Sequence, residues 1–159
     1  MGSTRLPNKV MRSIVGGLPM IEVLLSRLSK SKEIDQIVLA TSLDLRNKVL
    51  VDHVSQLGYD VFQGSEDDVL DRYYQAAVQK NPDAIVRITG DCPLLDSEVV
   101  DHVVQKYKAS KADYVSNVSP PTYPDGLDVE VFSFSALKTA WKEAKSSSER
   151  EHVTLFIRE

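Results

Sequence analysis

The segment GSTRLPNK (2–9) sets Arg5 and Lys9 close together behind Gly2, Ser3 and Thr4. Gly2 and Ser3 permit a tight backbone with exposed N–H groups, and the hydroxyls of Ser3 and Thr4 add donors. Arginine forks onto phosphate oxygens, while lysine supplies a mobile point charge. A polyphosphate is the ligand that would use this mixture. On composition alone, a solvated chain end with two surface cations is the more ordinary account. A second candidate is GDCP (90–93). Gly90 allows close approach of a ligand, Asp91 offers a carboxylate, and Pro93 fixes the turn. A carboxylate there suits Mg²⁺, which takes one or two carboxylates plus substrate phosphate oxygens. A turn-forming or helix-capping aspartate fits equally well. Cys92 has no His nearby in sequence and reads as a small packed residue.

Two further segments are open in the same way. In DVLDRYYQAA (68–77), Val69, Tyr73 and Ala76 form an apolar stripe, and Arg72 falls off it. Arg72 has the reach to touch a base or a phosphate, and an ion pair with Asp68 four residues earlier is the ordinary alternative. In DGLDVEVF (125–132), a strand would put Asp128 and Glu130 on one face, because side chains alternate with a period of two. Two carboxylates on one face would hold sugar hydroxyls or a metal. An exposed edge guarded by charge is the competing account. His152 reads as a helix-surface residue, and His53 and His102 have no convergent partners.

The elements that must position these residues alternate along the chain. Residues 19–30 place Ile21, Leu24, Leu25 and Leu28 on one helical face. IVLATS (37–42) reads as a buried strand, 44–57 as a helix through Leu50, Val54 and Leu57, and YDVFQG (59–64) as a second strand. Ser65 is placed to cap a helix over about 66–79. AIVRITG (84–90), a helix over 97–108, DYVSNV (113–118), LDVEVF (127–132) and a helix over about 134–145 follow. Strand–helix repetition with short connections predicts a mostly parallel α/β sheet with helices on both faces. Ligands in such sheets bind beyond the carboxyl ends of the strands. The positions of interest are therefore those after Gly64, those around Gly90, and Asn117 with its neighbours.

Bulk properties narrow the function. The chain has 159 residues, the length of one domain with a sizeable core, and no linker or repeat divides it. Net charge is −4, which argues against a nucleic-acid binder working through a general basic surface. One cysteine excludes an intrachain disulfide and fits a reducing compartment. No apolar run approaches the ~18 residues of a membrane span. A cytoplasmic protein is the expectation.

Taken in order, MGSTRLPNKV, GSEDDVLDRYYQAA, VRITGDCPL, DYVSN, TYPDGLDVEVF and REHVT resemble the SpsF-like spore-coat polysaccharide proteins. Those belong to the cytidylyltransferase superfamily, with the CMP-3-deoxy-manno-octulosonate and CMP-sialate synthetases. The resemblance runs over nearly the whole chain. It implies a Rossmann-like nucleotide-diphosphosugar transferase fold, and transfer of CMP from CTP to a sugar-acid hydroxyl with Mg²⁺ assisting. By that resemblance Gly2, Ser3, Arg5 and Lys9 match the triphosphate loop, with Arg5 and Lys9 catalytic, and Asp91 matches the metal-binding aspartate. Ser65 and Arg72 lie where relatives contact the nucleotide, and Asp125, Asp128 and Glu130 lie on the sugar side. Asn8 stands where many members have Gly. A homodimer is among the partners the resemblance suggests. A nucleotidyltransferase or glycosyltransferase using another nucleotide, and a non-catalytic nucleotide-sugar binding module, are the alternatives.

Members of the family place an apolar strand and an arginine before the loop and a further carboxylate after REHVT. The expectation is a chain shortened at both ends. A missing central strand leaves buried backbone groups unpaired at ~1–3 kcal/mol each, against a total stability of ~5–15 kcal/mol. On that expectation the polypeptide is unstable or inactive by itself.

Overall fold

The structure is a computed structural model and describes residues 8–158. Gly2, Ser3 and Arg5 lie outside the described residues. Alternation of strands and helices is as the periodicity predicts. A 3₁₀ turn over Lys9–Met11 leads to a short hairpin, β1 (Ser13–Val15) and β2 (Leu18–Pro19), paired antiparallel. The hairpin has no counterpart in the sequence reading. Gly16 and Gly17 turn it at φ 59° and 80°, a conformation open to glycine at no steric cost. Then come α1 (Met20–Leu28), β3 (Val38–Ser42), α2 (Lys48–Gln56), β4 (Asp60–Gly64), α3 (Val69–Lys80), β5 (Ala84–Arg87), α4 (Ser97–Ala109), β6 (Tyr114–Ser116), β7 (Glu130–Ser133), α5 (Phe134–Glu143), α6 (Ser147–Glu151) and α7 (Leu155–Arg158). β3 and β4 pair in parallel, from Val38 opposite Asp60 to Ser42 opposite Gly64. A 3₁₀ turn and α2 carry the crossover between them. The remaining sheet has the order β5-β7-β6.

The chain divides into two compact units: Met1–Ile37, Val86–Lys111 and Val115–Val131 form the first; Val38–Ile85, Ala112–Tyr114 and Phe132–Glu159 form the second. In the first unit α1 packs on α4. Ile21, Leu24, Leu25 and Leu28 of α1 are buried, as are Val100, Val103 and Val104 of α4. These are the apolar stripes that the helical spacing marks. Between them, Arg27 Nε donates to the carbonyl of Leu95 at 2.6 Å. In the second unit Leu70, Ala77, Phe132, Leu137, Ala140, Ala144 and Val153 form a buried cluster. Tyr74 stacks on Trp141 with ring centroids 4.2 Å apart.

Several boundaries differ from the sequence reading, with β5 ending at Arg87 and α2 beginning at Lys48, and three differences concern residues named above. Helix α3 starts at Val69, capped by Asp68, whose side chain accepts from Asp71 N–H. Ser65 accepts instead from the backbone N–H of Asp68, so it braces the turn ahead of the helix. Leu57 ends α2 partly exposed rather than in the core. The third difference is β7, which begins only at Glu130, so Asp128 precedes the strand and shares no strand face with Glu130. Nor is the strand half-buried: Val129, Glu130, Val131 and Phe132 are all buried. The reason is position in the sheet. β7 is the middle strand and consecutive residues on both its faces are buried, and a strand covered on both faces loses the in–out alternation of a surface strand.

Candidate active site

The first unit brings Lys9 to Asp91. Asn8 holds φ 57°, in the left-handed region that Asn tolerates and most side chains avoid. This reversal starts the 3₁₀ turn that carries Lys9. Lys9 Nζ donates to Asp91 Oδ2 at 2.7 Å across 82 residues of sequence. Asp91 lies just past the carboxyl end of β5, where a doubly wound sheet places its ligands. Its carboxyl is held below the usual carboxylate range, first by the Lys9 hydrogen bond and further by Thr89. Asp91 is therefore an anion at neutral pH and no proton acceptor. The pair is accessible, with side-chain exposures of 31% for Lys9 and 47% for Asp91. Asp91 does not cap the next helix, because Asp96 does so, accepting from Glu98 N–H.

The other acidic residues of this unit differ in kind. Asp125 is exposed and Asp128 is half-buried. Burial, then the neighbouring charges of Asp125 and Glu130, push the Asp128 carboxyl upward. Glu130 is buried and joined to Arg87 by a short ion pair. Asn117 fixes the loop between them. Its Nδ2 donates to the carbonyl of Leu127 at 2.7 Å, and its Oδ1 accepts from Val129 N–H at 2.8 Å. Both bonds bracket Asp128, so Asn117 sets that carboxylate's place. Cys92 is buried, with its thiol pushed up first by burial, and its sulfur lies 3.2 Å from Thr89 Oγ1. That is the state of a packed thiol rather than a nucleophile.

Ser65 and Arg72 belong to the second unit. Arg72 makes no pair with Asp68. Its Nη1 donates to the carbonyl of Ser65 at 2.5 Å, and its Nε is buried with no partner among the described residues. Burial lowers the Arg72 pKa, which leaves it charged all the same. Gly64 makes room for this arrangement: a Cβ there would lie 3.0 Å from a Phe62 ring carbon and 3.2 Å from Arg72 Cγ.

Sequence reasoning gave no role to Arg87, Thr89 or Arg150 and marked Asn117 by position alone; the first two and Asn117 support the acidic residues of the first unit, and Arg150 bonds within the second. For Arg87 a signal was present. It is a cation inside the apolar run AIVRITG, as Glu130 is an anion inside LDVEVF. Charges in buried strands require partners, and these two pair with each other.

Among the described residues, no three metal-ligating side chains gather at one point, and no helix is long and apolar enough to cross a membrane. Comparison with known proteins gives consistent results. A model of the family described as Cytidylyltransferase matches residues 1–159. An uncharacterised protein of Methanocaldococcus jannaschii is 46% identical over 158 residues, covering 99% of this chain and 63% of that protein. The spore coat polysaccharide biosynthesis protein SpsF of Bacillus subtilis is 36% identical over 163 residues, covering 99% and 66%. A 3-deoxy-manno-octulosonate cytidylyltransferase of Hydrogenovibrio crunogenus is 34% identical over 137 residues, covering 83% and 53%. Among solved structures, a cytidylyltransferase from Leptospira borgpetersenii superposes with a TM-score of 0.92 at 33% identity, covering 99% of this chain and 66% of that one. The chain thus spans about two thirds, or less, of the length of these relatives. The fold is the Rossmann-like α/β fold of those enzymes, and on the match of the family model over its full length the chain belongs to the cytidylyltransferase family.

Proposed function

We propose that the protein transfers a cytidylyl group from CTP to a hydroxyl of a sugar acid, releasing pyrophosphate, in the synthesis of a surface polysaccharide. The observation that carries this reading is the accessible Lys9–Asp91 pair at 2.7 Å beyond β5, in a chain of this family. The sugar oxygen attacks the α-phosphorus, the bond from that phosphorus to the bridging oxygen breaks, and the hydroxyl proton passes to solvent. The nucleophile is the substrate's own hydroxyl, so no covalent side chain is needed. What the protein supplies is position and charge compensation. Lys9 neutralises charge on the departing pyrophosphate. Arg5, outside the described residues, is proposed to do the same, with Gly2 and Ser3 offering donors.

Asp91 is a hard oxygen donor, exposed and held ionised, which is the donor type Mg²⁺ takes beside substrate phosphates. When bound, Mg²⁺ polarises the α-phosphate and offsets its charge. In this reading Asp91 would hold the ion. Asp125 and Asp128 accept hydrogen bonds from sugar hydroxyls. Glu130 contributes indirectly, because its charge is already met by Arg87. Ser65 and Arg72 are proposed as nucleotide contacts of the second unit. A homodimer is proposed on the family resemblance alone.

The test is calorimetric titration with CTP and then UTP, with and without Mg²⁺, followed by an assay of pyrophosphate release with 3-deoxy-manno-octulosonate and related sugar acids. Mg²⁺-dependent binding of CTP in preference to UTP, with pyrophosphate released, is expected. Equal binding of both nucleotides would discard the cytidylyl assignment. Binding of CTP with no turnover on any sugar acid would favour a nucleotide-sugar binding module.

A further inference from the structure

Composition assigns no chemistry to the EREHVT stretch, and His152 is indeed exposed. Its arginine stands apart. Arg150 Nε donates to Asp68 Oδ1 at 3.0 Å and Oδ2 at 2.9 Å, and Nη2 donates to Oδ2 at 2.6 Å. Nη1 donates to the carbonyl of Trp141 at 2.7 Å. The side chains are mostly buried, at 22% exposure for Arg150 and 34% for Asp68. A planar fork with this many bonds fixes direction as well as distance, which a lysine cannot do.

From Asp68 the bonding continues without a gap. Asp68 Oδ1 accepts from Asp71 N–H at 2.9 Å, and Asp68 N–H donates to Ser65 Oγ at 3.0 Å. The Ser65 carbonyl then receives Arg72 Nη1. Arg150, Asp68, Ser65 and Arg72 are one connected chain within the second unit. The base of that chain is itself immobilised. Ser146 and Glu149 close a capping box at the start of α6. Beyond α6, Val153 is fully buried in the unit's apolar cluster at φ 44°. A β-branched residue persists in the left-handed region only where its surroundings enforce it. Arg150 is therefore presented to Asp68 from a short helix held at both ends.

We propose that Arg150 is a positioning residue for nucleotide binding: through Asp68 it locks the Ser65–Arg72 turn in the conformation that presents Arg72 to the nucleotide. The step to the nucleotide rests on the proposed role of Ser65 and Arg72; the locking of the turn does not. Arg72 Nη1 is taken up by the Ser65 carbonyl, and its buried Nε has no partner among the described residues, so the turn fixes where the guanidinium lies. Arg150 bonds to Asp68 and Trp141 and Arg72 to Ser65, so the influence of Arg150 on Arg72 runs through the turn.

The experiment compares wild type with Arg150→Met, Arg150→Lys and Asp68→Asn, using amide hydrogen exchange and calorimetric titration with CTP and with pyrophosphate. In Arg150→Met, exchange at the Asp68 and Asp71 amides and the Kd for CTP should each rise about tenfold, as breaking a buried charged pair predicts. The Kd for pyrophosphate, a probe lacking the nucleoside, should stay at the wild-type value. In the pyrophosphate-release assay, KM for CTP should rise while kcat holds, and Arg150→Lys should recover part of the loss. Unchanged exchange over 65–72 in Arg150→Met overturns the lock. Faster exchange there with an unchanged CTP Kd overturns its link to the nucleotide. Should Arg150→Met lose its fold by circular dichroism, Arg150→Lys and Asp68→Asn decide by the same two readouts. Wild-type protein that binds no CTP overturns the proposed function and the nucleotide half of this inference together, and the exchange measurement then decides the lock by itself.

Discussion

Lys9–Asp91 and Arg87–Glu130 each join a cation to a carboxylate within the first unit, yet they differ in every property that decides what an ion pair does. Lys9 and Asp91 are about a third and a half exposed. Glu130 is buried and Arg87 nearly so. The first cation is a flexible ammonium, and the second is a rigid fork. An exposed pair of this kind adds about 0–1 kcal/mol to stability, so a polyphosphate can open it at little cost. A buried pair leaves an uncompensated charge when one partner goes. On the proposed function, the same two charge types serve as a ligand-exchangeable contact in the exposed Lys9–Asp91 pair and as fixed architecture in the buried Arg87–Glu130 pair.

The largest effect expected from breaking this contrast is at Glu130. Glu130→Ala should cost about 3–5 kcal/mol of unfolding free energy, because it removes the carboxylate that pairs with Arg87 in a buried setting. Urea unfolding measures it, and a loss below 1 kcal/mol would mean that the pair is not architectural. Next comes Lys9→Ala, which should lower kcat/KM for CTP on the order of 100-fold while changing stability by less than about 1 kcal/mol. A variant with the opposite profile, destabilised but fully active, would reverse the assignment of the two pairs. The small stabilisation that does exist follows the lowered pKa of Asp91. It is present above the usual carboxylate pKa and disappears as pH falls through the lowered value.

The smallest effect sharpens the contrast at Asp128. Its folded pKa is raised, mainly by burial and the charge of Asp125. The folded state therefore holds its proton to higher pH than the unfolded chain does, and stability declines as pH rises through that window. Asp128→Asn should melt a few degrees higher at pH 7, about the shift that 1 kcal/mol gives a domain of this size. The difference should close as pH falls towards about 4. Thermal melts from pH 4 to 8 test this, and a gap that widens on acidification would contradict the direction.

Much of the frame was legible because periodicity reports burial directly. The stripe Ile21, Leu24, Leu25, Leu28 and Val100, Val103 and Val104 of α4 are buried. Asn8 is similarly readable, since few residues besides Gly and Asn accept its φ of 57°. The charged residues were harder. Arg72 and Asp68, four apart on one helix, satisfy the local rule for an ion pair, yet each bonds elsewhere: Arg72 to Ser65 and Asp68 to Arg150. Local spacing says which partners are near; it does not say which distant arginine outbids them with a bidentate fork. Asp128 and Glu130 failed for a related reason, since where β7 begins depends on its neighbours in the sheet rather than on its own alternation.

By itself the sequence determined the family, the alternation of strands and helices, and the residue types able to meet a triphosphate, because these follow from local pattern and from long collinear motifs. Tertiary structure alone decided which charges meet: Lys9 with Asp91 across 82 residues, Arg87 with Glu130 across 43, and Arg150 with Asp68 across 82. The physical reason is that the strength and purpose of an ion pair depend on burial and orientation, and those are properties of the packed chain, not of any segment within it.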